Sequence, residues 1–206
     1  MQPSIAPRTE SARSKRPSIV AAAVDRFGSD GYEHTKWAAI ADDVGIGQTA
    51  LYHYFESKAH CLLTIMRTEL TQSLERFQRV TGGEEDPTEA LRLAVLSAYE
   101  GSPRDALQRR ILQNHVDLLG TPRPSEKEEQ ERQKSRALVR EIEEAWTELI
   151  LRGVRSGAFT DRDPQMSARM VLALIVGVWR WYRPGGKYKL DKIGNLTSDA
   201  VLRIVV

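Results

Sequence analysis

Between Thr35 and Lys58 the sequence TKWAAIADDVGIGQTALYHYFESK holds two short helical patterns with almost no chain between them. Trp37, Ile40, Ala41 and Val44 recur at spacings of three and four, which puts them on one helical face. Gly45 falls where that helix must stop and the chain reverse, and glycine accepts the left-handed conformation such a stop needs. Ile46 plugs the angle between the helices. Ala50, Leu51 and Phe55 give the second helix, about Gln48 to Tyr54, its inward face. Gln48, Thr49, Tyr52 and His53 remain outside. A short second helix with a polar, aromatic and nearly uncharged outer face is the form of a helix-turn-helix, whose second helix enters the DNA major groove.

The flanking sequence extends the same helical periodicity. Ile19, Ala22, Ala23 and Phe27 stripe a first helix from about Ser14 to a stop at Gly31, and Thr35 is placed to cap the next. Residues 1–13 read as a disordered basic arm. Ser57 caps a long helix to about Val80, and Pro87 and Gly101-Ser102-Pro103 open the two that follow, the second reaching Leu119. The longest pattern runs from Ser125 to about Ser156. Its first half, SEKEEQERQKSR, is nearly all polar and is expected to be a solvated face, while Leu138, Ile142, Trp146 and Ile150 carry the second half inward. Two more helices, about Pro164 to Tyr182 and Leu190 to Ile204, complete the chain. The expectation is an all-α fold of about nine helices without strands. A three-helix domain covers residues 14–56 and a helical domain covers 57–206.

Charge and composition narrow the function classes. The chain of 206 residues has a net charge of +2, and its first sixty residues hold seven cations and seven acids. Four of those cations lie between residues 8 and 16 with one acid, so positive charge precedes the first helix. One cysteine, Cys61, excludes an intrachain disulfide and fits the cytoplasm. The polar N-terminus lacks the apolar stretch of a signal peptide. The longest apolar run, Met170 to Trp179, has 10 residues, half the roughly 20 a bilayer needs. His34, His53, His60 and His115 share no metal-ligand spacing, and the adjacent Asp42 and Asp43 point to different helix faces. No phosphate loop, nucleophile elbow or paired acid appears. The expectation is therefore no catalytic residue, no metal, no cofactor and no membrane.

The segment from Ile19 to Lys58 resembles the N-terminal domain of TetR-type (tetracycline-repressor-type) transcriptional regulators. The matching pieces are Ala22-Ala23…Phe27, Gly31-Tyr32, Thr35, Ile40-Ala41, Val44-Gly45-Ile46, Leu51-Tyr52-His53-Tyr54-Phe55 and Ser57-Lys58. The resemblance implies a homodimeric regulator, most often a repressor, that binds double-stranded DNA and a small-molecule effector. It implies groove contact at Gln48 and Thr49, since Gln bonds adenine and a Thr methyl touches thymine, and phosphate or base contact at Tyr52 and His53. It implies phosphate contact at Thr35, Lys36 and Lys58, with Arg13, Lys15 and Arg16 adding to it. The family commonly has Ser where Gly47 caps the recognition helix and Gly where Thr49 stands. Gly47 caps less well than Ser, by about a few tenths of a kcal/mol.

For the second domain the residues leave more open. Tyr99, Trp146 and Trp179 can line a ligand cavity or serve as plain core, and Asn114 and His115 lie in an otherwise apolar helix as possible polar groups of a pocket. Arg180 and Arg183, beside the WYRPGG tail, suit a ligand phosphate such as that of an acyl-coenzyme A. The apolar run Met170 to Trp179 must be buried somewhere, which points to pairing of the last two helices between protomers. Two other readings stay open: a small helical enzyme, and a helix-turn-helix protein that senses no ligand.

Overall fold

The computed structural model describes residues 11–160 and 163–206. Among them nine α-helices form and no strand. Residues 1–10, most of the expected arm, lie outside the described residues, as does the side chain of Arg13. Helix α1 (Ser11–Ser29) begins before the expected Ser14, so its first turn takes up the end of that stretch. It is followed by α2 (Trp37–Val44), α3 (Gln48–Tyr54) and α4 (Lys58–Thr81). Then come α5 (Pro87–Ser97), α6 (Pro103–Asn114), a 3-10 turn at Val116–Leu119 and α7 (Glu126–Ser156). Finally α8 (Pro164–Trp181) and α9 (Leu190–Val205) pack together.

Local chemistry sets most of these boundaries. Gly45 ends α2 at φ 66°, and the N–H groups of Gly45 and Ile46 return to the carbonyls of Asp42 and Ala41 at 3.1 and 3.0 Å. That pairing satisfies carbonyls the helix end would otherwise orphan. Ser57 accepts the His60 N–H at 2.8 Å to start α4. Ser102 and Asp105 cap α6 reciprocally, and Asp163 accepts from the N–H groups of Gln165 and Met166 at the start of α8. The cap of α2 is Lys36, not Thr35, and its side chain makes no capping bond.

Two apolar cores share α4 and α7. The first gathers Ile19, Val24 and Phe27 of α1, Trp37 and Ile40 of α2, and Leu51 and Phe55 with Cys61, Leu62, Ile65 and Met66 of α4. The helix-turn-helix is thus closed from behind by the N-terminal half of α4. The second core joins α5, the C-terminal half of α7, α8 and α9 around Leu91, Trp146, Ile150, Val171 and Trp179.

The polar first half of α7 corrects the expectation of a solvated face. Glu128, Glu131, Arg132 and Ser135 are buried. Three meet a polar partner from elsewhere, Ser57 donating to Glu128 at 2.6 Å, Arg67 to Glu131 at 2.5 Å, and Arg132 to the Leu119 carbonyl at 2.9 Å, while Ser135 donates to the Glu131 carbonyl within α7. Burial of charge is tolerated here because the facing side of α4 supplies the partners.

Candidate DNA-reading surface and effector cavity

The outer face of α3 is as the sequence requires. Gly47, Gln48, Thr49, Tyr52 and His53 are all exposed, with Tyr52 at 49% despite its aromatic ring. Leu51 and Phe55 are fully buried beneath them. Lys36 stands exposed at the start of α2.

Among the described residues, the other expected phosphate ligands have partners within the protein. Thr35 is buried, its hydroxyl donating to the Gly31 carbonyl at 2.7 Å and facing that of Arg26 at 3.3 Å. Its backbone N–H also goes to Gly31. Thr35 therefore holds the α1–α2 loop, and the hydroxyl and N–H expected to grip phosphate both have partners within the protein. Lys58 is similar. Its ammonium donates to the carbonyls of Tyr32, Thr35 and Glu33 at 2.7, 3.1 and 3.4 Å and lies 4.4 Å from the centre of the Tyr32 ring. Three donors meeting three carbonyls make it a clasp between α4 and the loop, not a free phosphate ligand. Lys15 donates to the Val44 carbonyl at the end of α2, and Arg16 to the Tyr54 carbonyl at the end of α3 while its guanidinium covers the Phe55 ring. Cations at helix C-termini are favoured by the dipole. Arg26 holds Asp43 with two 2.7 Å bonds, which keep the Asp43 carboxyl below the usual range. Basic residues of α1 thus fix the angle at which α3 is presented.

This gives a separable expectation for Lys58→Ala. It should lower stability by about 2 kcal/mol, the worth of charge-assisted bonds lost at a half-buried site. It should weaken DNA binding without changing the slope of affinity against salt concentration. A slope reduced by about one unit, read from anisotropy titrations at several salt concentrations, would restore the phosphate role.

In the second domain a cavity of about 260 Å³ opens between α4, α6, α7 and α8. Its walls include Leu70, Leu112, Val116, Ile142, Trp146, Ile175 and Trp179, and its polar lining includes Glu69, Arg76, Arg109, Gln113 and Glu143. Trp146 and Trp179 are where the sequence expected them. Tyr99, Asn114, His115, Arg180 and Arg183 do not line it. Tyr99 is buried behind Trp179, its hydroxyl 3.2 Å from the Ile175 carbonyl and its phenol pushed up to about 12 by burial. Asn114 ends α6 and is exposed, and His115 packs its ring on Tyr32 at 5.4 Å. Arg180 and Arg183 are exposed. A larger groove of about 640 Å³ along α1 is wide open to solvent, its lining mixing Lys15, Asp25, Arg26, Asp43 and Arg104 with Ala21, Ala22, Val44 and Leu107, so it does not enclose a small molecule as the cavity does.

The residues missed in the sequence are Glu69, Arg76, Arg109 and Gln113. Glu69 and Arg109 are 2% and 4% exposed, and Arg109 bonds Glu69 at 3.2 Å. Burial pushes the Arg109 guanidinium below its usual range, against the pull of Glu69. The available signal was positional: Ala106, Arg109 and Leu112 share a stripe, as do Leu62, Met66 and Glu69. Among the described residues no cluster of three His, Cys, Asp or Glu is arranged for a metal ion, and no helix is long and apolar enough to cross a membrane.

An exposed reader helix joined to a larger helical domain is the layout of a class of helix-turn-helix DNA-binding regulators. The sequence matches place the chain within that class. Residues 19–65 match the bacterial regulatory proteins of the tetR family, and residues 84–205 match the tetracyclin repressor-like C-terminal domain. The chain belongs to the TetR family of DNA-binding transcriptional regulators. It is 27% identical over 204 residues to the HTH-type transcriptional repressor KstR2 of Rhodococcus jostii, covering 98% of this chain and 96% of that one. The crystal structure of PfmR from Thermus thermophilus superposes with a TM-score of 0.78 at 26% identity, over 90% of this chain and 97% of that. AibR, solved with isovaleryl coenzyme A and operator DNA, shares the fold at a TM-score of 0.72 and 18% identity, over 91% and 97%.

Proposed function

We propose that this protein is a cytoplasmic repressor that binds a palindromic operator as a homodimer and is released by an effector held in the 260 Å³ cavity. Residues from about 14 to 56 read DNA, and residues 57–206 bind ligand and dimerise. Lys36, Gly47, Gln48, Thr49, Tyr52 and His53 form the contact face. Trp146 and Trp179 belong to the ligand walls. The similar KstR2 is a transcriptional repressor, and the similar AibR was solved in complex with isovaleryl coenzyme A and operator DNA. An acyl-CoA or other hydrophobic ligand is accordingly the first effector class to test.

The observation that carries this reading is the double use of α6. One side of it forms the cavity wall through Arg109, Leu112 and Gln113. The other side holds α1, where Arg104 pairs with Asp25 at 2.5 Å and a methyl group on Gly28 would sit 2.9 Å from the Leu107 side chain. A ligand that displaces α6 must displace α1, and α1 sets the attitude of α2 and α3. Effector and operator are then coupled reciprocally. In a two-fold dimer the recognition helices lie about 34–36 Å apart, or a multiple of that, when DNA is bound.

The test is selection of bound DNA fragments by the purified protein, followed by anisotropy on the selected site with acyl-CoA esters added. Release by a subset of esters is expected, and retention of operator with every ester removes the acyl-CoA assignment. On the selected site, Gln48→Ala should lose discrimination at one base pair per half-site by about 1–3 kcal/mol, with its salt slope unchanged.

A further inference from the structure

The apolar cavity has one end that is not apolar. Glu69 of α4 collects three donors there: Arg76 Nη2 at 2.7 Å, Arg109 Nε at 3.2 Å and Gln108 Nε2 at 3.2 Å. Both carboxylate oxygens are thereby engaged. The two guanidinium groups are not fully satisfied in return. Arg109 Nη1 and Arg76 Nε are buried and have no hydrogen-bond partner in the protein. An unpaired buried donor costs on the order of 1–3 kcal/mol, more when charged, so folded proteins rarely keep one without a use.

Arg109 is also held rigidly. Its guanidinium lies 5.0 Å from the centre of the Trp179 ring, and Nε is tied to Glu69. The edge that carries Nη1 is therefore fixed rather than free to swing to solvent. Asp105, the other carboxylate close by, accepts from the Ser102 backbone and hydroxyl, so it caps α6. Glu143, on the cavity wall, is paired with Arg169 at 3.7 Å. Neither completes the coordination of Arg109. Val116, also in the lining, is 40% exposed, whereas Arg109 is 4% exposed. The lining thus ranges from an exposed apolar residue to a buried Arg109 that shares the Glu69 carboxylate with a partly buried Arg76.

We infer that the effector carries a hydrogen-bond acceptor oxygen at its buried end, bound by Arg109 Nη1, with an apolar body against Trp146, Trp179 and Ile175. This rests on the cavity being the effector site. It adds a demand on the ligand that an apolar cavity alone does not make. An acyl chain ending in a plain methyl group would leave Arg109 Nη1 unpaired. A group ending in a ketone or a carboxylate would satisfy it. For a coenzyme A thioester the oxygen is one at the far end of the acyl group, since the thioester itself must stay near the rim.

The experiment needs no DNA. The full chain is titrated with indane, 1-indanone and indane-2-carboxylate, three probes of one shape. Binding is followed by the emission of the cavity tryptophans and by calorimetry. Both oxygenated probes are expected to bind at least about tenfold more tightly than indane, the worth of one charge-assisted hydrogen bond. The tighter of the two tells whether the natural group is charged or neutral, and either order supports the inference. In Arg109→Met, which keeps bulk and removes the donors, the three affinities should fall within about twofold of one another. Equal affinity for indane and 1-indanone in the native protein overturns the inference, whether or not the variant folds. So does a tenfold preference that survives in the variant. Failure of the regulatory reading would show separately, as operator binding that no effector shifts.

Discussion

Glu69→Ala should destabilise the protein by about 3–5 kcal/mol, the cost of breaking a buried ion pair by removing one partner. Glu69 is 2% exposed and accepts from Arg76, Arg109 and Gln108 together. Alanine leaves the Arg109 guanidinium buried without a directly bonded anion, in a site walled by Leu70, Leu112 and Trp179, with Asp105 close by but engaged in capping α6. Arginine stays protonated in proteins, so the charge cannot be shed. Arg76 is partly exposed and can turn to solvent, so the cost falls mainly on Arg109. At this chain length the loss corresponds to about 10 °C in Tm, followed by circular dichroism. Glu69→Gln keeps an acceptor oxygen without the charge and should fall between the alanine variant and the native chain. A loss below about 1 kcal/mol for alanine would mean Arg109 reaches solvent without help, and the buried polar end of the cavity would have to be abandoned.

What could be read in the sequence follows a physical divide. The helix-turn-helix was legible because its determinants are local. A left-handed stop at Gly45, a plug at Ile46 and an apolar stripe through Trp37, Ile40 and Ala41 act within a few residues. Caps at Ser57 and Ser102 are equally local. The roles of Thr35 and Lys58 were not legible, because the carbonyls they meet come from the loop after α1, which exists only once the three helices pack. The same holds for α7. Its charged first half looks solvated until Ser57 and Arg67 of the region opposite are brought to Glu128 and Glu131, some seventy residues away in the chain. In the cavity, aromatic residues were found and the polar ones were not. Asn114 and His115 drew attention as polar residues in an apolar stretch, but α6 stops at Asn114 and turns them away. Arg109 and Glu69 carry no local signal of a shared site, and only their opposite signs on two buried stripes mark them as a pair.

The double variant Met170→Glu and Leu174→Glu should turn the protein into a monomer. In the isolated protomer α8 buries Ser167, Ala168, Val171, Ile175, Val178 and Trp179 on one side. On the other side Met166, Met170, Leu174 and Trp181 stand exposed at 54%, 53%, 38% and 52%, and Leu196 of α9 is exposed at 70%. Spacings of four and seven put the α8 residues on a single face, so this is a continuous apolar stripe and not scattered exposure. It needs cover, and a two-fold partner offers the same stripe in return, since an isologous interface pairs a patch with itself. Glutamates at 170 and 174 would carry four charges into that interface, each unpaired and costing several kcal/mol to desolvate. Dimer affinity should fall by at least about a thousandfold. Because both positions are exposed within the protomer, helical content should be kept, which separates loss of assembly from loss of fold. Light scattering after size-exclusion chromatography reads the mass, and anisotropy on the selected palindrome reads the consequence. A monomer carries one recognition helix, so it keeps the contacts of a half-site and loses those that both half-sites make together. A variant that remains dimeric would place the interface on another face and take with it the expected spacing of the operator.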